Sequence, residues 1–226
     1  MSGIVRIAGA AVAVLLAVPS YSADAVDPLR AKLVAAENLV TAHSPGAALV
    51  LLDEVIAAED KAHDSESNVF SSRSLAETLM YLTLGAETKT KTVAYDDTWS
   101  LALFMKGFVL IDMGRPDSAE PYYRRAIALA PSNSHYLSEF AEWQKNHKNL
   151  AAAYSMYQSA DAASALSPDE VKGPEQRRAW RGMAFILSEQ GKFDDAEALY
   201  RKCLAADPAD KGAQAELAWI ATQRPK

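Results

Sequence analysis

The chain has 226 residues, 50% of them hydrophobic and 23% charged, with a formal net charge of -6. That balance excludes a disordered or collagen-like chain and leaves enough apolar side chains for a core. The excess of acid argues against nucleic acid and anionic lipid surfaces as partners, since neutralising phosphates needs clustered Lys and Arg.

The N-terminus has a pattern of its own: Met1 to Val5, then Arg6, then an uncharged apolar run from Ile7 to Val18 closed by Pro19. One basic residue, a short apolar core and small residues beyond it form a secretory signal peptide. With Ser20 and Ser22 as the small residues, cleavage falls before Ala23, while Ala23-Asp24-Ala25 offers a second site. The run is well below the roughly 20 apolar residues of a spanning helix. No cysteine stands nearby to carry a lipid. The expectation is a leader over residues 1–22 and a periplasmic or secreted mature chain with no stable membrane anchor. Loss of Arg6 would shift its charge from -6 to -7.

Asp27-Pro28 is a helix start, with Asp as cap and Pro in the first turn, where its missing N–H costs nothing. Leu33, Ala36, Leu39 and Val40 follow at helical spacing. His43-Ser-Pro-Gly46 breaks this helix, and Ala47 to Ala58 is its antiparallel partner, apolar at Val50, Leu51, Val55 and Ile56. Residues 59–68 are acid-rich and aperiodic, and are expected to be a loop. Ser74-Leu-Ala-Glu77 is a capping-box pattern. It predicts a helix to about Gly85 carrying Leu75, Leu79, Met80 and Leu82. Residues 86–97, β-branched and charged, are compatible with a frayed helix or a loop.

From Thr98 onward the spacing of alanines organises the chain. Ala119 and Ala153 are 34 residues apart, Ala153 and Ala196 are 43 apart, and the nine extra residues fall in Leu166–Pro174, where two prolines and a glycine gather. Ser167, Pro168 and Glu170 would cap one short turn there. The first unit reads Leu103, Gly107, Leu110, Gly114, then Ala119, Tyr123, Ala126 and Pro131. The second reads Leu137, Phe140, Ala141, then Ala153, Tyr157 and Ala160, with Lys148 where a turn glycine is usual. The third reads Trp180, Met183, Ala184, Leu187, Gly191, then Ala196, Tyr200 and Pro208. A last helix, Lys211 to Thr222, carries Leu217 and Ala218, with a polar side at Gln214, Glu216 and Gln223.

This pattern resembles the tetratricopeptide repeat, W-x₂-L-G-x₂-Y, then A-x₃-F, then P, in which small residues stand where paired helices cross. The resemblance implies an all-α fold, an α-α right-handed superhelix. Its repeats would span about 100–133, 134–167 and 177–210, with a capping helix at 211–223, in a domain covering 98–226. A divergent helical segment, 23–97, precedes it, with Ala48 placed like the crossing-point alanine of a degenerate repeat. Cys203 falls where the family has a small buried Ala, so it is expected to be a core thiol.

Chemistry-bearing motifs are missing from the sequence. His43, His63, His135 and His147 are scattered without a second ligand at metal-binding spacing, and there is no nucleophile elbow or phosphate loop. Asp194-Asp195 suits a helix N-terminus. No enzyme activity, metal or cofactor is therefore expected.

The resemblance does imply a concave groove, lined by the second, fifth, ninth and twelfth positions of each repeat's first helix. These are His135, Ser138, Glu142 and Lys145 in the second repeat, and Arg178, Arg181, Phe185 and Ser188 in the third. The first repeat offers Leu101, Phe104, Phe108 and Ile111, too apolar to face water, so the N-terminal helices are expected to cover them. Arg178 and Arg181, three apart on one face with Lys145 close by, form a basic wall suited to a partner's carboxylate. The Lys and Asn of the chaperone-tail clamp are absent. The function expected is a non-catalytic scaffold or adaptor binding a protein or peptide segment in a bacterial cell envelope. The alternative is an accessory subunit of an envelope enzyme, or an enzyme with no recognisable motif, with residues 59–66 and 166–174 as the places to look.

Overall fold

The computed structural model describes residues 27–223; the leader expected over residues 1–22 lies outside them. Ten α-helices and two three-residue strands follow in the order α1 Pro28–Thr41, α2 Pro45–Ala62, β1 Val69–Ser71, α3 Leu75–Glu87, β2 Val93–Tyr95, α4 Thr98–Asp112, α5 Pro116–Leu129, α6 Ser134–Asn146, α7 Leu150–Ala163, α8 Asp169–Glu189, α9 Phe193–Ala206 and α10 Lys211–Gln223. The fold is an all-α superhelix of stacked helical hairpins.

Four hairpins, α1/α2, α4/α5, α6/α7 and α8/α9, turn in the same way. Each has one residue in the left-handed region, His43, Gly114, Lys148 and Gly191, with φ of 54°, 73°, 65° and 72°. The next residue's N–H donates back across the turn, from Ser44 to Leu39, Arg115 to Leu110, Asn149 to Gln144 and Lys192 to Leu187, at 2.8 to 2.9 Å. This 6→1 bond closes the C-terminal end of each first helix. Counting from the turn residue, the same positions are buried in every hairpin: Ala36, Gly107, Ala141 and Ala184 on the first helix, and Ala48, Ala119, Ala153 and Ala196 on the second. The large residue four places later is Leu52, Tyr123, Tyr157 or Tyr200, each buried. Lys148 thus adopts the conformation that glycine takes in its neighbours, at the steric cost an L side chain incurs there.

Between the first two hairpins lies an insert that departs from the sequence expectation. Helix α2 continues through residues 59–62, which the sequence assigned to a loop, and β1 pairs in parallel with β2, Val69 opposite Val93 and Ser71 opposite Tyr95. The segment left open at 86–97 therefore contains a strand, which its β-branched residues favour. Helix α3 connects the two strands. Ser74 caps it, accepting from the Glu77 N–H at 3.1 Å, while Glu77 turns back to the Arg73 N–H at 2.9 Å, one residue earlier than in the usual box.

The predicted apolar face of α3 is not the buried one. Glu77, Tyr81 and Gly85 face inward, while Leu75 and Leu79 face solvent. The inward face is fixed by polar contacts: Tyr81 stacks on Phe70 and its hydroxyl accepts from the Ser132 N–H at 3.1 Å. Arg73 bonds Glu77 through Nε at 3.1 Å and grips Glu175 on α8 with two nitrogens at 2.6 and 3.0 Å. Ser74 Oγ donates to the Leu166 carbonyl at 3.0 Å.

The insertion at 166–174, expected to cap one short turn, instead enters a long helix from Asp169. After a 3-10 turn at Ser164–Leu166, α8 begins at Asp169, with Asp169 and Glu170 in the first turn where their charge suits the helix N-terminus. The third repeat's first helix, expected to begin near Arg177, is lengthened by two turns that carry Glu175 to Arg73.

Candidate functional site

The first helices of three successive hairpins, α4, α6 and α8, line one wall together with the capping helix α10. A pocket of about 460 Å³ opens there, formed by Glu142 and Lys145 of α6, Arg178, Arg181 and Phe185 of α8, and Glu216 of α10, with Tyr157 and Tyr200 at its floor. Five of the eight groove residues expected in the second and third repeats meet in this pocket. His135 lines a second, smaller pocket of about 230 Å³, together with Val40, Phe104, Met105, Phe108 and Glu139. Ser138 does not reach the groove. It is fully buried, because a serine is too short to emerge between His135 and Glu142, its longer neighbours one turn away. Ser188 is buried too, its hydroxyl donating to the Ala184 carbonyl at 3.0 Å.

The three cations of the basic wall stand together in the larger pocket. Each of its cations has a carboxylate partner: Lys145 with Glu142 at 2.5 Å, Arg178 with Glu139 at 2.5 Å, and Arg181 with Asp210. Asp210 also caps α10, accepting from the Ala213 N–H at 3.0 Å. The wall therefore alternates in sign, and its long-range field is far weaker than three free cations would produce. Lys145 Nζ also stands 4.5 Å above the Phe185 ring, a cation–π contact.

Local electrostatics follow from these pairings. Partial burial works to raise the Glu142 pKa, but hydrogen bonds from Lys145 and from the Tyr157 hydroxyl, the latter at 2.7 Å, outweigh it and hold the carboxyl below its ordinary value. Burial and that same bond push the Tyr157 phenol up. Burial holds His135 below the ordinary imidazole value, opposed by Glu139 and reinforced by the Arg178 guanidinium. His135 packs against Phe104, ring centroids 4.9 Å apart. It is a neutral, largely apolar wall element rather than a cation.

The N-terminal helices cover the apolar residues of α4 only in part. Phe104 is buried in the core, but Phe108 is 42% exposed and Ile111 37%. The groove thus has an apolar end and a charged end, and the Arg178–Glu139 pair divides them, Glu139 lining the smaller pocket and Arg178 the larger. Sequence reasoning missed Glu139, Tyr157 and Glu216, which stand off the four inner positions of the repeat. Among the described residues no group of three or more His, Cys, Asp or Glu could hold a metal ion, and no helix is long and apolar enough to cross a membrane.

Two segments match family models described as tetratricopeptide repeat, residues 100–133 and residues 177–220. No curated protein matched the chain. Solved structures similar in fold include PilF of Pseudomonas aeruginosa, at 15% identity over 86% of this chain and 68% of that one, TM-score 0.59. PilW, described as a widely conserved type IV pilus biogenesis factor, aligns at 16% identity over 88% and 71%, TM-score 0.61. MamA aligns at 14% identity over 88% and 85%, TM-score 0.54.

Proposed function

Because the chain is a tetratricopeptide-repeat protein, we propose that its concave wall holds a segment of a partner protein and that it serves as a non-catalytic scaffold in a bacterial cell envelope. The observation that carries this reading is the pair of adjoining pockets, one apolar and one charged. A partner segment would set an apolar side chain against Phe104 and Phe108 and a polar or acidic stretch against Lys145, Arg178 and Arg181. A guanidinium carries five N–H donors. Arg178 and Arg181 each commit one nitrogen to Glu139 and Asp210 respectively, so donors remain for a ligand carboxylate, held by contact rather than drawn in from a distance. The leader-like residues 1–22 support the envelope setting.

Photo-crosslinking tests both parts. A photoreactive residue at Phe108 or Phe185 should capture the same partner from envelope fractions, and one at Arg201, exposed on α9, should not. Equal capture from all three positions would refute the groove, and a soluble cytosolic chain that keeps Met1 would refute the envelope setting.

A further inference from the structure

Helix α3 turns Leu75 and Leu79 to water, while Leu82 beside them is half-buried and the exposed Leu84 lies off their stripe. Its buried residues, Glu77, Tyr81 and Gly85, lie four apart, and on the other side stand Leu75, Leu79, Leu82 and Ala86. Leu75 is 74% and Leu79 54% exposed. At about 100° per residue these four fall within about 60° of one another on the helix surface. Their spacing of four, three and four is that of a coiled-coil seam. Exposed apolar residues are ordinary when scattered, but four in seam register are not scattered.

At the C-terminal end of the seam stand Lys89 and Lys91, both exposed, with no ion pair among the described residues. With Glu87, also exposed, beside them, they leave a small local positive charge on a chain of formal net charge -6. We propose that the outer face of α3 docks an amphipathic helix of a partner protein, with apolar side chains at heptad spacing against Leu75, Leu79 and Leu82 and acidic side chains facing Lys89 and Lys91.

Three observations favour that occupant. The stripe is a narrow seam, whereas a helix lying in a membrane surface presents a broad apolar face. Parallel pairing with a second copy would oppose lysine to lysine, and antiparallel pairing would leave the lysines without acids. A face of one 13-residue helix is also small against the roughly 800 Å² per partner of a stable dimer, so it suits a transient partner helix rather than a permanent second copy. This surface is separate from the groove and holds whether or not the groove binds a segment.

The test uses the full chain and a fluorescein-labelled synthetic 21-residue helix with Leu at the a and d heptad positions and Glu beside them. Saturable binding by anisotropy is expected, weakened at least about tenfold in Leu75→Ser/Leu79→Ser and about threefold in Lys89→Ser/Lys91→Ser. It should be unchanged in Arg201→Ser, on the exposed face of α9 away from both surfaces. On the unaltered chain, amide exchange should slow over residues 75–91 when the peptide is added, a readout that does not depend on any variant folding. Absence of binding, or binding indifferent to Leu75 and Leu79, would overturn the proposal. So would leucine-dependent binding to phosphatidylglycerol-containing vesicles in place of the peptide, or a dimer in sedimentation that the leucine substitutions abolish.

Discussion

Replacing Arg73 with alanine would strand two buried carboxylates. The Glu77 side chain is fully buried and that of Glu175 is 9% exposed, and Arg73 bonds both from a position that is itself 15% exposed. Removing one partner from a buried ionic cluster costs about 3–5 kcal/mol, because the remaining charges lose their compensation without regaining water. At about 1.4 kcal/mol per decade, amide protection across α3 should fall by about two to three and a half decades, whether the insert opens alone or the whole chain unfolds. Burial already raises the Glu77 pKa, against the lowering effects of the Arg73 backbone N–H and guanidinium. A carboxyl raised in the folded state contributes stability that is present at low pH and lost as pH rises through its folded pKa. Arg73→Ala enlarges that upward shift, so the variant should regain protection on acidification from neutral pH towards the ordinary carboxyl range, and by more than the parent chain does. Replacing the cluster with apolar residues, Arg73→Met with Glu77→Leu and Glu175→Leu, should restore most of the loss. A fall of less than tenfold in Arg73→Ala, or a triple variant as poorly protected as the single one, would refute the reasoning.

Lys148→Gly should stabilise the chain by about 1 kcal/mol by relieving a left-handed side-chain conformation, seen as a rise in Tm of about 2–4 °C; an unchanged Tm would count against the strain. Gly182→Ala would place a methyl group inside the Tyr157 ring, and overpacking of this kind costs about 1–3 kcal/mol, to be measured by urea denaturation. Burial pushes the Cys203 thiol up to about 11, so the native chain should resist a disulfide reagent at pH 8 and react fully in denaturant; rapid native reaction would show that the site opens.

The repeat positions were legible because close helix packing admits only small residues at the crossing points, and Ala119, Ala153 and Ala196 recur at the required spacing. The Lys148 turn was found by that spacing against its own chemistry. The direction in which α3 faces was hidden, since the partner that draws Glu77 inward also holds Glu175, 102 residues further on from Arg73. Strands of three residues are too short for alternation to register. At the groove the cations were correctly grouped, but their partners were not foreseen: Glu139 stands one place off the fifth position, and Asp210 belongs to the cap of the following helix. The exposure of Phe108 depends on how far α1 reaches across α4, which no local pattern encodes.

Helix α3 and its flanks touch two junctions between hairpins, Ser132 between α5 and α6 and Leu166–Ser167 between α7 and α8. A stack in which each repeat touches only its neighbours behaves as a spring, its small rotations adding up along the axis. Here that spring is clipped across consecutive coils, so winding or unwinding is confined to the part beyond the clip. The smaller pocket lies between α4 and α6 inside the clipped part, with Val40 of α1 at its rim. The larger one straddles its edge, with α6 on the held side and α10 on the free side, joined to α8 through Arg181 and Asp210. The groove is therefore a vice with one fixed jaw, and its opening is set by the angle at which α10 leaves α8.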